Sequence, residues 1–448
     1  MSLTKVTNSM ISGAYANVLD FGAKGDGVTD DTAAIKAAMV SGAGCVYFPS
    51  GTYMCDQILW GDTTPGIGAI RLVGEVAALA GSFQESTAKT TRIKARASNS
   101  VFWRFNYSHN LVVENISFDG GGFSDIVVQL QQGCFKHEWS NCTFEGATAS
   151  TGTIVYLGDS VINLQVDFNI FRNCIFATGY DTATANFAAQ ALNVVKTNTI
   201  ENKFYNCFFN KTKTSARLQG SSQTDFYGCH FANFDDQAIQ VVGVSHFNMK
   251  LCYSESTIGT KFLSLVDVIY SESAQPIVIE DNAINQIVGN SFDATPNVPM
   301  VFLNNRMGQD VFVNDPTTST LYHPVIFENN QFITGGITGP GQTKYSQRKA
   351  NTLNGVYLFD TDGYWQEYFN LSFAAPGAVP GSSTVAITVP GAVVGDEIGL
   401  AFGTVIPSNF VMHAQPTAAN TVTVVATQIS GAATTLITNA MVLLYKRV

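Results

Sequence analysis

Five short segments of this chain are near copies of one another, each with a cysteine two positions before an aromatic or small residue. They read Asn141-Cys142-Thr143-Phe144, Asn173-Cys174-Ile175-Phe176, Asn206-Cys207-Phe208-Phe209, Gly228-Cys229-His230-Phe231 and Leu251-Cys252-Tyr253-Ser254. The cysteines lie 32, 33, 22 and 23 residues apart. Asn115-Ile116-Ser117-Phe118 precedes the series; Gly289-Asn290-Ser291-Phe292 and Asn329-Asn330-Gln331-Phe332 follow it without cysteine. A unit that returns every 22 residues or more cannot bury its apolar face alone and must stack on its copies. Within one unit Cys174 and Phe176 share a face while Asn173 and Ile175 take the other, a period of two that specifies a strand. Short strands and turns at this repeat length specify a parallel β-helix, each coil adding about 4.8 Å along the axis. The cysteines then form one inward stack and the phenylalanines a second. Asn takes the left-handed turn and stacks through its amide. The longer spacings mark coils with inserted loops, where function gathers on a rigid scaffold.

The thiols read as small buried hydrophobes. No short Cys-x-x-Cys spacing suggests a metal, and a chain this rich in apolar residues has no need of a disulfide framework. They fit folding in a reducing compartment. With 448 residues, 46% of them hydrophobic, the chain can build two or three domains and a large core. Charged residues make up only 13%, so Asn, Ser, Thr and Gln must wet the surface. A net charge of −10 argues against nucleic acid and anionic membranes as partners. No apolar run approaches the ~20 residues of a bilayer span. The first residues lack a signal-peptide core, so the expectation is a soluble protein, intracellular or released other than by secretion. No metal or cofactor is expected.

Near the start, Val18-Leu19-Asp20-Phe21 reads as a short strand and Gly22, Gly25 and Gly27 as a turn-rich loop. Asp30 and Asp31 are N-cap candidates for a helix through Ala33–Met39, whose apolar stripe is Ile35, Ala38 and Met39. That helix suits a lid over the open strand edge of the first coil. Cys45–Phe48 and Thr52–Met54 read as strands about a Pro49-Ser50-Gly51 turn. At the other end, the ladder stops after the Gly-rich run 335–341. Residues 371–448 carry charge only at Asp396, Glu397, Lys446 and Arg447. There Thr384–Val389 and Thr421–Val425 alternate as strands.

The run from Asn17 to Asp31, followed by Val46-Tyr47-Phe48-Pro49-Ser50-Gly51-Thr52-Tyr53, resembles the start of the pectate-lyase-like β-helix of bacteriophage tailspikes. Ser2–Thr7 with Met10-Ile11 resembles the connector that joins a tailspike's virion-binding domain to that helix. The segments around Val389–Asp396 and Ala418–Val424 resemble a small C-terminal β-sandwich of tail fibres and tailspikes that trimerises the spike or binds sugar. The resemblance implies an all-β chain: a right-handed, single-stranded parallel β-helix with an N-terminal capping helix and a C-terminal β-sandwich. Its expected divisions are a virion connector over 1–14, the capped β-helix over 15–345, a linker over 346–370 and the sandwich over 371–448. It also implies a homotrimer on a phage tail, made in the host cytoplasm. The larger attachment domain of the family has no counterpart here, so attachment is expected through the first residues or through another tail or baseplate protein. The implied activity is recognition and cleavage of a bacterial capsule or O-antigen (lipopolysaccharide) chain.

Glycoside hydrolysis needs two carboxylates, about 5 Å apart for retention or about 6.5–9.5 Å for inversion, and a β-helix supplies both by stacking. Asp235-Asp236 lies mid-helix, and the segment Asp235–Gln240 is similar to the Asp-Asp signature of polygalacturonase-type hydrolases, without their His-Gly and Arg-x-Lys companions. Counted from the ladder, with Asn290 as the position after Cys252, one column holds Asp119, Glu145, Ala177, Asn210, Ala232, Glu255 and Asp293. Asp235, Asp236 and Glu255 are therefore the expected catalytic residues. Arg217, Tyr227 and His230, close by in sequence, are expected to bind substrate. Trp139 is also expected to bind substrate by stacking on a sugar ring; for it and for Trp103 core packing is the alternative. A lyase would instead use Arg217 against a uronate carboxylate with Tyr227 or His246 as base. A non-catalytic receptor-binding fibre on the same scaffold is the remaining alternative.

Overall fold

The computed structural model describes residues 15–61, 70–77, 90–158, 165–178, 187–195, 199–220, 222–242, 246–256, 261–266, 277–285, 287–292, 300–309, 311–312, 325–333, 337–338, 346–349, 351–353, 356–357, 364–388, 394, 397–402, 406–418 and 421–446. The connector expected over 1–14 lies outside them. Three sheets of 13, 14 and 11 strands run the length of a parallel solenoid. One coil crosses all three: Ile170–Arg172 in the first sheet, Ile175–Ala177 in the second and Ala188–Val194 in the third.

The expected columns are present, in register. Phe118, Phe144, Phe176, Phe209 and Phe231 stack up the second sheet. Their ring centroids are 5.8, 5.1, 4.7 and 4.9 Å apart. A second column, Trp139, Phe171, Phe204 and Phe226, faces it from the first sheet. Between the two sheets the chain turns on one left-handed residue: Asn115, Asn141, Asn173 and Asn206, then Gly228, Leu251, Asp281, Asn304 and Asn329. Asn tolerates this conformation better than other non-glycine residues. Its amides stack as expected, Asn141 Nδ2 donating to Asn115 Oδ1 and Asn173 Nδ2 to Asn141 Oδ1, both at 3.3 Å.

The cysteine that follows each turn has a polar task as well as an apolar one. Each thiol lies within reach of two carbonyls: that of the residue two before it in its own coil, at 3.3–3.7 Å, and that of an inward first-sheet residue one coil back, Val113 for Cys142, Trp139 for Cys174, Phe171 for Cys207, Phe204 for Cys229 and Phe226 for Cys252, at 3.4–3.6 Å. Past Cys252 the position passes to asparagine. Asn282, Asn305, Asn330 and Asn351 donate to Met249, Ile279, Phe302 and Phe327 at 2.8–3.1 Å. Their Oδ1 atoms also accept the backbone N–H of the coil before, from Cys252 (2.8 Å) through Asn330 (3.0 Å). This corrects the ladder: the rung after Cys252-Tyr253-Ser254 is Asn282-Ala283-Ile284, because Tyr253 pairs with Ala283 and Ser254 with Ile284. Gly289–Phe292 belongs instead to the third-sheet strand Ile287–Phe292. Asp293 lies outside the described residues.

Near the N-terminus the fold departs twice from the expected elements. Val18–Phe21 forms a 3₁₀ turn rather than a strand, because the Asn17 side chain caps Leu19 N–H at 3.0 Å and Gly22 closes it in a left-handed conformation. The helix, Thr32–Met39, buries Ile35, Ala38 and Met39 as expected. It is the Asp30 carboxylate that accepts Thr32 N–H (3.0 Å). Asp31 holds the N-cap position, its carbonyl accepting the Ile35 N–H at 2.9 Å, but its side chain turns back, buried, to accept the N–H groups of Lys24 (2.6 Å) and Gly25 (3.1 Å) and so holds the glycine loop.

Toward the C-terminus two antiparallel three-stranded sheets form, one from Tyr364–Phe373, Leu436–Lys446 and Glu397–Phe402, the other from Gly381–Thr388, Thr421–Gln428 and Phe410–Ala418. Leu371 and Phe373 of the first meet Ile387, Val422, Val424 and Ala426 of the second in one apolar cluster.

Two measurements test this account. Asn305 accepts from Asn282 and donates to Ile279 and Asn330. Asn305→Ala therefore strands buried donors and should cost roughly 3 kcal/mol in urea unfolding, against about 1 kcal/mol for Cys207→Ala. His137 is fully buried, donates through Nε2 to Ser108 O at 2.9 Å, and is held by desolvation down to about 4. The unfolded chain binds the proton first as pH falls below about 6.5, so stability is complete above that pH and about 3 kcal/mol is lost by pH 4. His137→Asn should remove this part of the acid sensitivity.

Candidate functional site

The residues expected to form one site lie on different faces. Tyr227 is on the outer face of the first sheet, its ring 5.1 Å from Tyr205, over which the Arg172 guanidinium sits at 4.4 Å. His230 and Glu255 are on the second sheet, in adjacent coils, and meet at 3.4 Å between His230 Nε2 and Glu255 Oε1. Tyr253 Oη donates to the same carboxylate at 3.0 Å, and the Phe208 ring lies 4.9 Å from the imidazole. Arg217 is on the third sheet. Asp235 and Asp236 occupy the turn from the second sheet to the third, their N–H groups bonded to Thr212 O (3.0 Å) and Lys213 O (2.9 Å). Trp139 is 0% exposed, among Phe118, Phe144 and Phe171; it packs the core and cannot stack on a sugar, and Trp103 is likewise buried. The side chain of His246 lies outside the described ones.

The acid column keeps the expected register from Asp119 to Glu255. Among the described strand pairs, Asp119 and Glu145 are the only two carboxylates in register on neighbouring coils. Both are buried and already answered by cations. Arg92 lies 3.9 Å from Asp119 and 3.4 Å from Glu145, and Lys94 lies 3.3 Å from Asp119. Gly146 makes room for this arrangement, since a Cβ there would sit 2.4 Å from Asp119 Oδ1. The group is an ion-paired cluster of the wall.

The third sheet differs from the other two. Its outer face carries the register row Arg104, Gln129, Tyr156, Asn193, Arg217, Gln240 and Ser264. Beside it runs the row Thr153, Gln190, Thr214, Gln237 and Lys261. Neither row contains an acid, in a chain of net charge −10. Side chains are linked along the strip: Arg104 Nε to Gln129 Oε1 (3.0 Å), Gln219 Nε2 to Asn193 Oδ1 (2.7 Å) and Arg217 Nε to Gln240 Oε1 (2.9 Å). Asp236 joins its edge by accepting from Gln237 Nε2 at 3.3 Å. From Arg104 to Ser264 the row climbs six steps, about 29 Å. It is a long strip on which Arg104, Tyr156, Gln190, Arg217, Gln240 and Lys261 are half-buried, while Gln129, Asn193, Ser264, Thr153, Thr214 and Gln237 are buried among them. Of the expected site residues, it gathers Arg217, Asp235 and Asp236. Arg104, Gln129, Tyr156 and Asn193 escaped the sequence reading because alternation marks them only as outward.

Residues 15–285 match the family model described as rhamnogalacturonase A/epimerase, pectate lyase-like. The chain belongs to that family. Curated relatives share shorter stretches. The probable glucan endo-1,3-beta-glucosidase of Arthroderma benhamiae is 51% identical over 56 residues, 10% of this chain and 6% of that protein. Alginate lyase 7 of Azotobacter vinelandii is 66% identical over 41 residues, 8% of this chain and 5% of that protein. The matches thus span a small fraction of these relatives' own length. Among solved structures, a double mutant of the tailspike protein of E. coli bacteriophage HK620 is similar over 96% of this chain and 93% of that one, with a TM-score of 0.50 and 12% identity. That likeness is one of fold, and it agrees with the tailspike-type β-helix read from the sequence. Among the described residues, no helix is long and apolar enough to cross a membrane, and no group of three His, Cys, Asp or Glu is placed to hold a metal.

The His230–Glu255 pair has a measurable signature. Burial pulls the imidazole below its ordinary value, and the carboxylate opposes that pull. An NMR titration should give a midpoint below about 6.5. Glu255→Gln should lower it further; a rise would contradict the geometry.

Proposed function

We propose that this chain is a bacteriophage tailspike that binds a bacterial surface polysaccharide, capsule or O-antigen, along its third sheet and cleaves it by glycoside hydrolysis. The observation that carries the reading is the acid-free strip around Arg217. Amide and hydroxyl side chains match the donors and acceptors of sugar hydroxyls, and a guanidinium recognises a sugar carboxylate by paired hydrogen bonds. Family membership supports a polymeric carbohydrate as substrate, as do the glucan and alginate named for the two relatives. Asp235 and Asp236 stand at the edge of the strip, and Asp236 is exposed. In this reading they supply the carboxylates that protonate the leaving oxygen and assist its displacement. Glu255, directed into the His230–Tyr253 group on the second sheet, is not their partner in this reading. The chain acts as a homotrimer on the virion, held by its C-terminal sheets and attached to the tail through residues 1–14.

The test is incubation of the purified chain with a panel of capsular polysaccharides and lipopolysaccharides. New reducing ends without the ultraviolet absorbance of an unsaturated uronate are expected for one of them. That absorbance would show a lyase, and binding without product a receptor-binding fibre. Asp235→Asn with Asp236→Asn should reduce release at least about 100-fold while binding persists. Arg217→Ala should weaken binding of an acidic polysaccharide about tenfold. Light scattering should give three times the chain mass.

A further inference from the structure

Near the N-terminal end of the solenoid, where the second sheet turns into the third, an open cleft of about 450 Å³ lies over three successive coils. That volume falls within the ~300–1,000 Å³ of small-molecule sites. Ser98, Asn99 and Ser100 line it from one coil, Phe123 and Asp125 from the next and Thr148 from the third. The lining is built by an unusual sequence, Gly120-Gly121-Gly122-Phe123, inside the strand Ser117–Ser124. Three glycines in a row weaken a strand, since each loses much backbone freedom and has no side chain to pack. Here they have a geometric use. Gly121 and Gly122 are left-handed (φ +70° and +82°), and a Cβ on Gly121 would strike the Phe123 ring at 2.4 Å. The glycines thus break the pairing register between Asp119 and Ser124 and let one aromatic ring lie against bare backbone at the cleft. Around the ring stand a carboxylate, hydroxyls and an amide: Thr148 Oγ1 donates to Asp125 Oδ1 at 3.4 Å and Asn99 Nδ2 donates to Ala97 O at 2.8 Å, while Asn99 Oδ1 is buried and has no hydrogen-bond partner among the described residues. One aromatic face ringed by small polar groups is the chemistry that holds a single pyranose: C–H faces on the ring, hydroxyls on the rim.

We infer that this cleft is a second sugar subsite, which holds a distal unit of the same polysaccharide whose nearer units lie on the Arg217 strip. The inference rests on the proposed function and specifies the substrate: an extended chain running lengthwise along the solenoid. The middle coil of the cleft leads into the strand Ile126–Gln131, and Asp235-Asp236 leads into Gln237–Val242, four rungs later in the third sheet. Four rungs are about 19 Å, and a sugar unit in an extended chain is close to one rung long, so about four units separate the two places. Arg104 and Gln129, on the strands that leave the cleft, begin the strip that connects them.

The experiment uses size-graded oligosaccharides cut from whichever polysaccharide of the panel binds, titrated calorimetrically into the full chain. Wild-type affinity should rise in a step once fragments exceed about four units. Phe123→Ala should abolish the step, lowering long-fragment affinity about fivefold to tenfold. Asn99→Ala and Asp125→Asn, made outside the core, should each reduce it, so that a folding defect in the phenylalanine variant leaves the question decidable. A smooth rise with length, or a step kept in all three variants, overturns the subsite. If no polysaccharide binds at all, it is the proposed function that fails.

Discussion

The solenoid depends on one hydrogen-bonding contact repeated coil after coil: a small side chain just past the left-handed turn brings a donor within reach of a carbonyl of the coil below. Cysteine fills that place from 142 to 252 and asparagine from 282 to 351. Both are small enough to sit inside the wall beside the aromatic columns, and both carry a donor. They differ as acceptors. The thiol takes Cys229's counterpart bond only weakly, at 3.3 Å between Cys229 N and Cys252 Sγ, whereas each Asn Oδ1 takes the neighbouring N–H at 2.8–3.0 Å. The aromatic stacks can keep register because this bond sets the height of each coil on the next. Buried backbone groups must be paired, and in a wall built from strands this is where the pairing at the corner is made.

Because the core is settled from inside, the outer positions are free to differ from sheet to sheet. The first sheet carries stacked tyrosines beside cations, and the second carries ion pairs and the His230–Glu255 group. The third carries amides and arginines with no acid. Charge pairs that screen one another are a poor surface for a neutral or acidic polymer. An acid-free strip of fixed side chains is a good one, since its donors are held before the ligand arrives. The rigid repeat also measures length: any two points on it are separated by a whole number of strand spacings, so the substrate's own repeat can match it.

Much of this was legible in the residues. The period of two in Asn173–Phe176 marked strand and inward face; the recurrence of Asn before Cys marked a left-handed turn; Ile35, Ala38 and Met39 marked the lid helix. Where the reading failed, local chemistry misled it. Asn290 resembles a ladder residue, but the coil closes at Asn282 because the inserted loop is shorter than the spacing suggested. Asp31 sits where a cap belongs, but the glycine loop offered it two N–H groups at closer range. Trp139 could have served inside or outside, and the column of rings took it.

By itself, the sequence determined the solenoid, its columns and its turns, because those follow from the alternation of apolar and polar residues and from the conformations that Asn and Gly allow. Only the tertiary structure decided which outward residues meet. Alternation separates inside from outside, but it does not say on which of three faces a residue lies, nor which coil becomes its neighbour when loops of unequal length intervene. That is why Arg217, Tyr227 and His230, close in sequence, stand on three different sheets, while Arg104 and Arg217, 113 residues apart, share one row.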